Sequence, residues 1–138
     1  MSRRTVVFTA TIAALAYACA GPPTRMGAPV CTTHECRIAV TVASCQIAAD
    51  PPVIRIGAAN RNVELHWDIT TAGFAFSDEG IVINDDPGRE FQNPNKPQPT
   101  KFILHDRHTS AGDFKYTINV RPSSACPALT LDPWVVND

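Results

Sequence analysis

The chain has 138 residues, 44 % of them hydrophobic, with 12 Lys and Arg against 13 Asp and Glu and a formal charge of −1. That supplies the core of one domain. The basic residues are scattered, so no run forms an electrostatic footprint for nucleic acid.

Residues 1–18 read as a secretory signal peptide. Arg3 and Arg4 form a positive start, Thr5 to Ala18 is an apolar run, and small residues with a cysteine follow. The run is shorter than the ~20 apolar residues a spanning helix needs. Leu15-Ala16-Tyr17-Ala18-Cys19 resembles a bacterial lipobox, which makes Cys19 a lipidation site and the membrane a partner only through that lipid. Cleavage after Ala18 or Ala20 is the competing reading, because both sites fit a small-x-small pattern. Ser2-Arg3-Arg4 carries a twin-arginine pair without its usual context. Residues 19–30, rich in Gly and Pro, read as a flexible tether. Removing Arg3 and Arg4 leaves a mildly acidic mature chain.

The domain is expected over residues 31–138. Cys31, Cys36, Cys45 and Cys126 are an even set in an exported chain, which points to disulfides. Three pairings are open. The favoured one is Cys31–Cys36, closing a tight loop, with Cys45–Cys126 joining an early strand to the last third of the chain.

Strand signals then follow in order. Arg37 to Ala43 alternates, with Ile38, Val40 and Val42 on one face. Pro51-Pro52 breaks the chain before a short strand, Val53 to Ile56, and Gly57 to Asn62 reads as a turn. Val63 to Ile69 is the clearest strand. Val63, Leu65, Trp67 and Ile69 point one way and Glu64, His66 and Asp68 the other, one face for a core and one for water. Gly73 to Phe76 and Ile81 to Ile83 read as the arms of a hairpin, with Gly80 supplying a positive φ in its turn. Asp85 to Thr100 reads as a long connection without periodic structure, made semi-rigid by four prolines. Lys101 to Leu104 is a strand. Asp113 to Val120 alternates again, with Phe114, Tyr116, Ile118 and Val120 inward. Leu129 to Val136 closes the chain, with Pro133 at an edge or bend.

Strands at near-regular spacing, without a sustained helical period, predict an all-β sandwich of about seven strands. The inward Trp67 and a bridge from an early to a late strand resemble immunoglobulin-like domains, an analogy of architecture alone. Glu64-Leu65-His66-Trp67, Phe114-Lys115-Tyr116 and Asp132-Pro133-Trp134-Val135-Val136-Asn137 together resemble small exported bacterial β-domain proteins and lipoproteins of uncharacterised function. The resemblance implies an exported β domain and no chemistry.

Catalytic patterns are missing. Ser44, Ser77, Ser110, Ser123 and Ser124 sit in no nucleophile elbow. Asp68, Asp106 and Asp113 are the carboxylates a glycosidase-like pair would draw on, but nothing in the pattern lifts them above surface charges. Asp78-Glu79 and Asn84-Asp85-Asp86 match no calcium-loop spacing and read as solvated turns. A blue-copper site would need a free cysteine followed by histidine, and Cys126 has none after it. No cofactor is expected. The alternative to a binding role is a periplasmic metal-binding protein using His66, His105 and His108.

The expectation is therefore an envelope binding or structural module, not an enzyme. Its unknown ligand is an envelope protein or glycan. The Pro-rich segment is the expected contact surface, with Arg89, Phe91 and Lys96 as anchors, because Arg and aromatic residues dominate binding hot spots.

Overall fold

The computed structural model describes residues 27–138, so the expected signal peptide, Cys19 and most of the expected tether lie outside the described residues. Eleven strands are present among them, more than the seven or so expected. They are β1 (Val30–Cys31), β2 (Glu35–Ala43), β3 (Gln46–Asp50), β4 (Val53–Ile56), β5 (Val63–Ile69), β6 (Phe76–Ile83), β7 (Phe91–Gln98), β8 (Lys101–Asp106), β9 (Gly112–Val120), β10 (Leu129–Leu131) and β11 (Trp134–Asn137).

The strands form two mixed sheets. One runs β3-β2-β5-β8-β7. The other runs β1-β4-β11-β9-β10, with β6 also on β9. Ile118 of β9 pairs with both Leu131 and Ile81, so β10 and β6 flank β9 on opposite sides. Pairing is parallel for β1 with β4, β4 with β11, and β2 with β5, and antiparallel elsewhere.

Period-two alternation builds the core between these sheets. Ile38, Val40, Leu65, Trp67, Phe102 and Leu104 come from the five-stranded sheet. Ile54, Ile56, Phe76, Ile81, Phe114, Tyr116, Ile118, Val120 and Val135 meet them from the other. Each such side chain contributes on the order of 1.5–3 kcal/mol when fully buried. Trp67 is fully buried. Both expected bridges are formed, Cys31–Cys36 with Cα atoms 6.0 Å apart and Cys45–Cys126 with 5.5 Å.

Three local expectations are corrected. Residues 74–83 are not a hairpin. Phe76 to Ile83 is one strand along β9, with a register shift between Phe76 and Ile81. Gly80 sits in that bulge and has no positive φ. A Cβ there would stand 2.8 Å from the Phe76 Cβ and 3.0 Å from the Phe102 Cδ2. Glycine is needed for close approach, not for turn geometry.

Half of the Pro-rich connection, Phe91–Gln98, is also a strand. β7 pairs antiparallel with β8, with two register shifts that accommodate its prolines. Proline is tolerated there because β7 is a sheet edge, where a missing N–H costs no ladder bond. The third correction is β3, absent from the expected strands. It follows the two-residue turn Ser44-Cys45, both with positive φ, which is the twist a tight hairpin favours.

Candidate functional site: a buried polar cluster

Carrying the alternation of β8 past Leu104 places Asp106 and then His108 inward. Both are fully buried, and Glu90 and Asn137 beside them are 2 % and 3 % exposed. Burying so many polar groups is unfavourable unless they bond to one another.

Most of them do. The Asp106 Oδ1 accepts the His108 main-chain N–H at 2.8 Å and the Asn137 Nδ2 at 3.3 Å. The His108 Nδ1 lies 2.6 Å from the Asn60 carbonyl oxygen, and its Nε2 lies 3.0 Å from the Asp138 main-chain oxygen. Both partners are main-chain acceptors, and which ring nitrogen donates to them depends on the tautomer. Arg61 donates to the His108 carbonyl. The imidazole thus ties the turn before β5 to the end of β11.

Glu90 closes the 107–111 loop. Its Oε2 accepts the Thr109 N–H at 2.7 Å, and its Oε1 accepts the Thr109 hydroxyl at 2.5 Å and the Ser110 hydroxyl at 2.9 Å. Burial pushes this carboxyl up, but the bonds from Thr109 and Ser110, with the Arg107 charge, outweigh it and hold it below the usual range. Asp106 goes the other way. Burial dominates and raises it, despite the His108 N–H, the Asn137 amide and the His108 charge, and the nearby Glu90 charge adds to the rise. The Asp106 Oδ2 and Asn137 Oδ1 have no hydrogen-bond partner among the described residues.

Two carboxyls shifted in opposite directions are the usual mark of an acid–base pair. Catalysis also needs access. The described grooves are lined by neither Asp106 nor His108. The groups are engaged in holding loops together.

The three histidines of the metal alternative are split between locations. His108 is inside with both nitrogens engaged. His66 and His105 lie on the outer face of the five-stranded sheet, where Glu64 pairs with His105 across the strands and bonds the His66 Nε2 at 3.1 Å. Among the described residues no three His, Cys, Asp or Glu side chains converge to hold a metal ion. Nor do Asp68 and Asp106 meet, since they lie on opposite faces of that sheet. Asp68 bonds the Lys101 Nζ at 2.6 Å and stands 3.5 Å from Arg37. Arg37 also pairs with Glu35, so this outer face is a ladder of ion pairs.

The expected anchor residues have structural contacts. Phe91 packs edge-on against Phe114 with ring centroids 5.0 Å apart. The Lys96 Nζ bonds the Ser77 carbonyl at 3.2 Å and the Asp78 carboxylate at 2.9 Å. Arg89 has a positive φ in the turn before β7. There the Asp86 carboxylate accepts the Glu90 and Phe91 N–H groups. Sequence reading singled out His105-Asp106-Arg107-His108 for the wrong reason. For Asp106 and His108, alternation with Phe102 and Leu104 is the signal for burial.

The chain matches no protein-family model, and no curated protein matches it in sequence.

Proposed function

We propose that this chain is an exported, non-catalytic binding or structural module of the cell envelope, held at the membrane by a lipid on Cys19. The observation that carries the reading is the closed pairing of Cys31 with Cys36 and of Cys45 with Cys126. Such bridges persist in oxidising compartments. The leader pattern at residues 1–18 supports the same address. Absorption of Glu90 and His108 into internal bonds supports binding over catalysis. An immunoglobulin-like arrangement is the finer architectural reading, supported by Trp67 between the sheets.

The test is fractionation of bacteria expressing the full chain, followed by thiol alkylation. Wild type should reach the membrane fraction with Cys31, Cys36, Cys45 and Cys126 unreactive. Cys19→Ala should shift to the soluble exported fraction. Retention in the cytoplasm with reactive thiols overturns the reading.

A further inference from the structure

The two sheets end beside one another on one flank of the sandwich, at β6 and β7, and the two edges differ. β7 is guarded by the devices that keep sheet edges from pairing: Pro94, Pro97, Lys96 and two register shifts. β6 has its own register shift between Phe76 and Ile81, and beyond it, from Ile81 to Ile83, it carries no proline, charge or further shift. The Asn84 N–H bonds the Lys115 carbonyl at 2.9 Å. By the antiparallel alternation, Ile81 and Ile83 therefore direct their N–H and C=O groups away from β9. On that side no strand pairs with β6 among the described residues.

Between the edges runs a groove of about 390 Å³. Ile81, Ile83, Phe91, Phe102 and Leu104 give it an apolar floor, and Asp78, Glu79 and Asp86 stand around it. Lys96 bonds Asp78. The Asp86 carboxylate caps two N–H groups. The Arg121 charge also acts on Asp78. Glu79 makes no ion pair among the described residues, and two cations gathered at Asp78 leave the rim of three carboxylates net acidic.

We propose that this groove takes an extended peptide of alternating apolar and cationic residues, added as a strand to the open edge of β6. Main-chain bonds to Ile81 and Ile83 provide affinity, the apolar floor takes alternate side chains, and the acidic rim selects lysine or arginine. A second copy of this chain fits poorly. Antiparallel pairing of two β6 edges would set Asp78-Glu79 of one against Asp85-Asp86 of the other. The inference deepens the binding-module reading and rests on it.

The probe is a synthetic octapeptide of alternating Lys and Val, titrated into the oxidised full chain, with a Glu-Val octapeptide as control. Amide hydrogen exchange should slow at Ile81 and Ile83 and stay unchanged at Asn84, whose N–H is already bonded. Binding should weaken with salt. Glu79→Lys should weaken it about tenfold or more. Glu79→Gln, a milder change if the reversal disturbs folding, should weaken it less. Glu64→Lys, on the outer sheet face, should leave it unchanged. Protection elsewhere, equal binding of the Glu-Val peptide, or concentration-dependent pairing of the chain through β6 overturns the proposal. Export and oxidation are scored separately by fractionation and alkylation. An exported, oxidised chain that ignores the peptide sinks the groove alone.

Discussion

The Trp67 Nε1–H donates to the Tyr116 hydroxyl at 3.2 Å, and the two rings meet edge to face with centroids 5.4 Å apart. The pair joins the centres of the two sheets, and both residues are fully buried. The bond explains how a tryptophan and a tyrosine sit in a dry core, since each polar atom satisfies the other. Burial also pushes the Tyr116 hydroxyl well above its usual range, opposed only in part by the bond from Trp67. Tyr116→Phe keeps the ring and removes the acceptor. The orphaned indole N–H should cost about 1–3 kcal/mol in urea unfolding, with the denaturant slope unchanged. Trp67→Ala should cost about 3–5 kcal/mol. The double variant should cost less than the sum, since the shared bond is lost once.

Gly80 is required by the bulge in β6. Its neighbours, Phe76 and Phe102, meet edge to face with centroids 6.1 Å apart and leave no room for a methyl group. Gly80→Ala should destabilise by about 1–3 kcal/mol, as overpacking does. Circular dichroism melts would register it. A neutral result would mean that β6 shifts outward to make room.

These residues also show where sequence reading works. β2, β5 and β9 were legible because each buries one face only, so polar residues mark the alternate positions. β3 was obscure because Ala48 and Ala49 carry little pattern, and its Ser44-Cys45 turn lacks the usual Asn-Gly signal. β7 was hidden by Pro94 and Pro97, which exclude a central strand but not an edge. Asp78-Glu79-Gly80 has the composition of a turn and forms a bulge instead. The buried cluster was half legible. The alternation reaching Asp106 and His108 was present, but only the fold brings Glu90 and Asn137 to them.

The two bridges should contribute unequally. Cys45–Cys126 spans 81 positions and Cys31–Cys36 spans 5. On loop entropy alone, the long bridge contributes about 4–5 kcal/mol and the short one about 2 kcal/mol. Paired Cys→Ser variants of each bridge, compared by urea unfolding, should preserve that order. A larger loss from the short bridge would mean that it chiefly orders β1 against β4, rather than restricting the unfolded chain.

The carboxyls of Glu90 and Asp106 should give stability a pH dependence of opposite sign on either side of mild acid. Glu90 is held below its usual range in the fold, so its contribution is present above the unfolded value of 4.5 and is lost as pH falls through the folded one. Asp106 is raised by burial. Its contribution is intact below the unfolded value of 3.8 and declines as pH rises through the folded one, because ionisation is then easier in the unfolded chain. Glu90→Gln removes a charged acceptor from Thr109 and Ser110. It should cost about 2–3 kcal/mol near neutral pH and flatten the loss of stability in acid. Asp106→Asn retains an oxygen for the His108 N–H and the Asn137 amide but cannot ionise. It should stabilise the fold by about 1 kcal/mol near neutral pH and remove the decline above mild acid. Urea midpoints measured across the acid range with both disulfides intact decide the matter. If Asp106→Asn instead destabilises at neutral pH while leaving the profile unchanged, the carboxylate is structurally required, and burial does not set its titration.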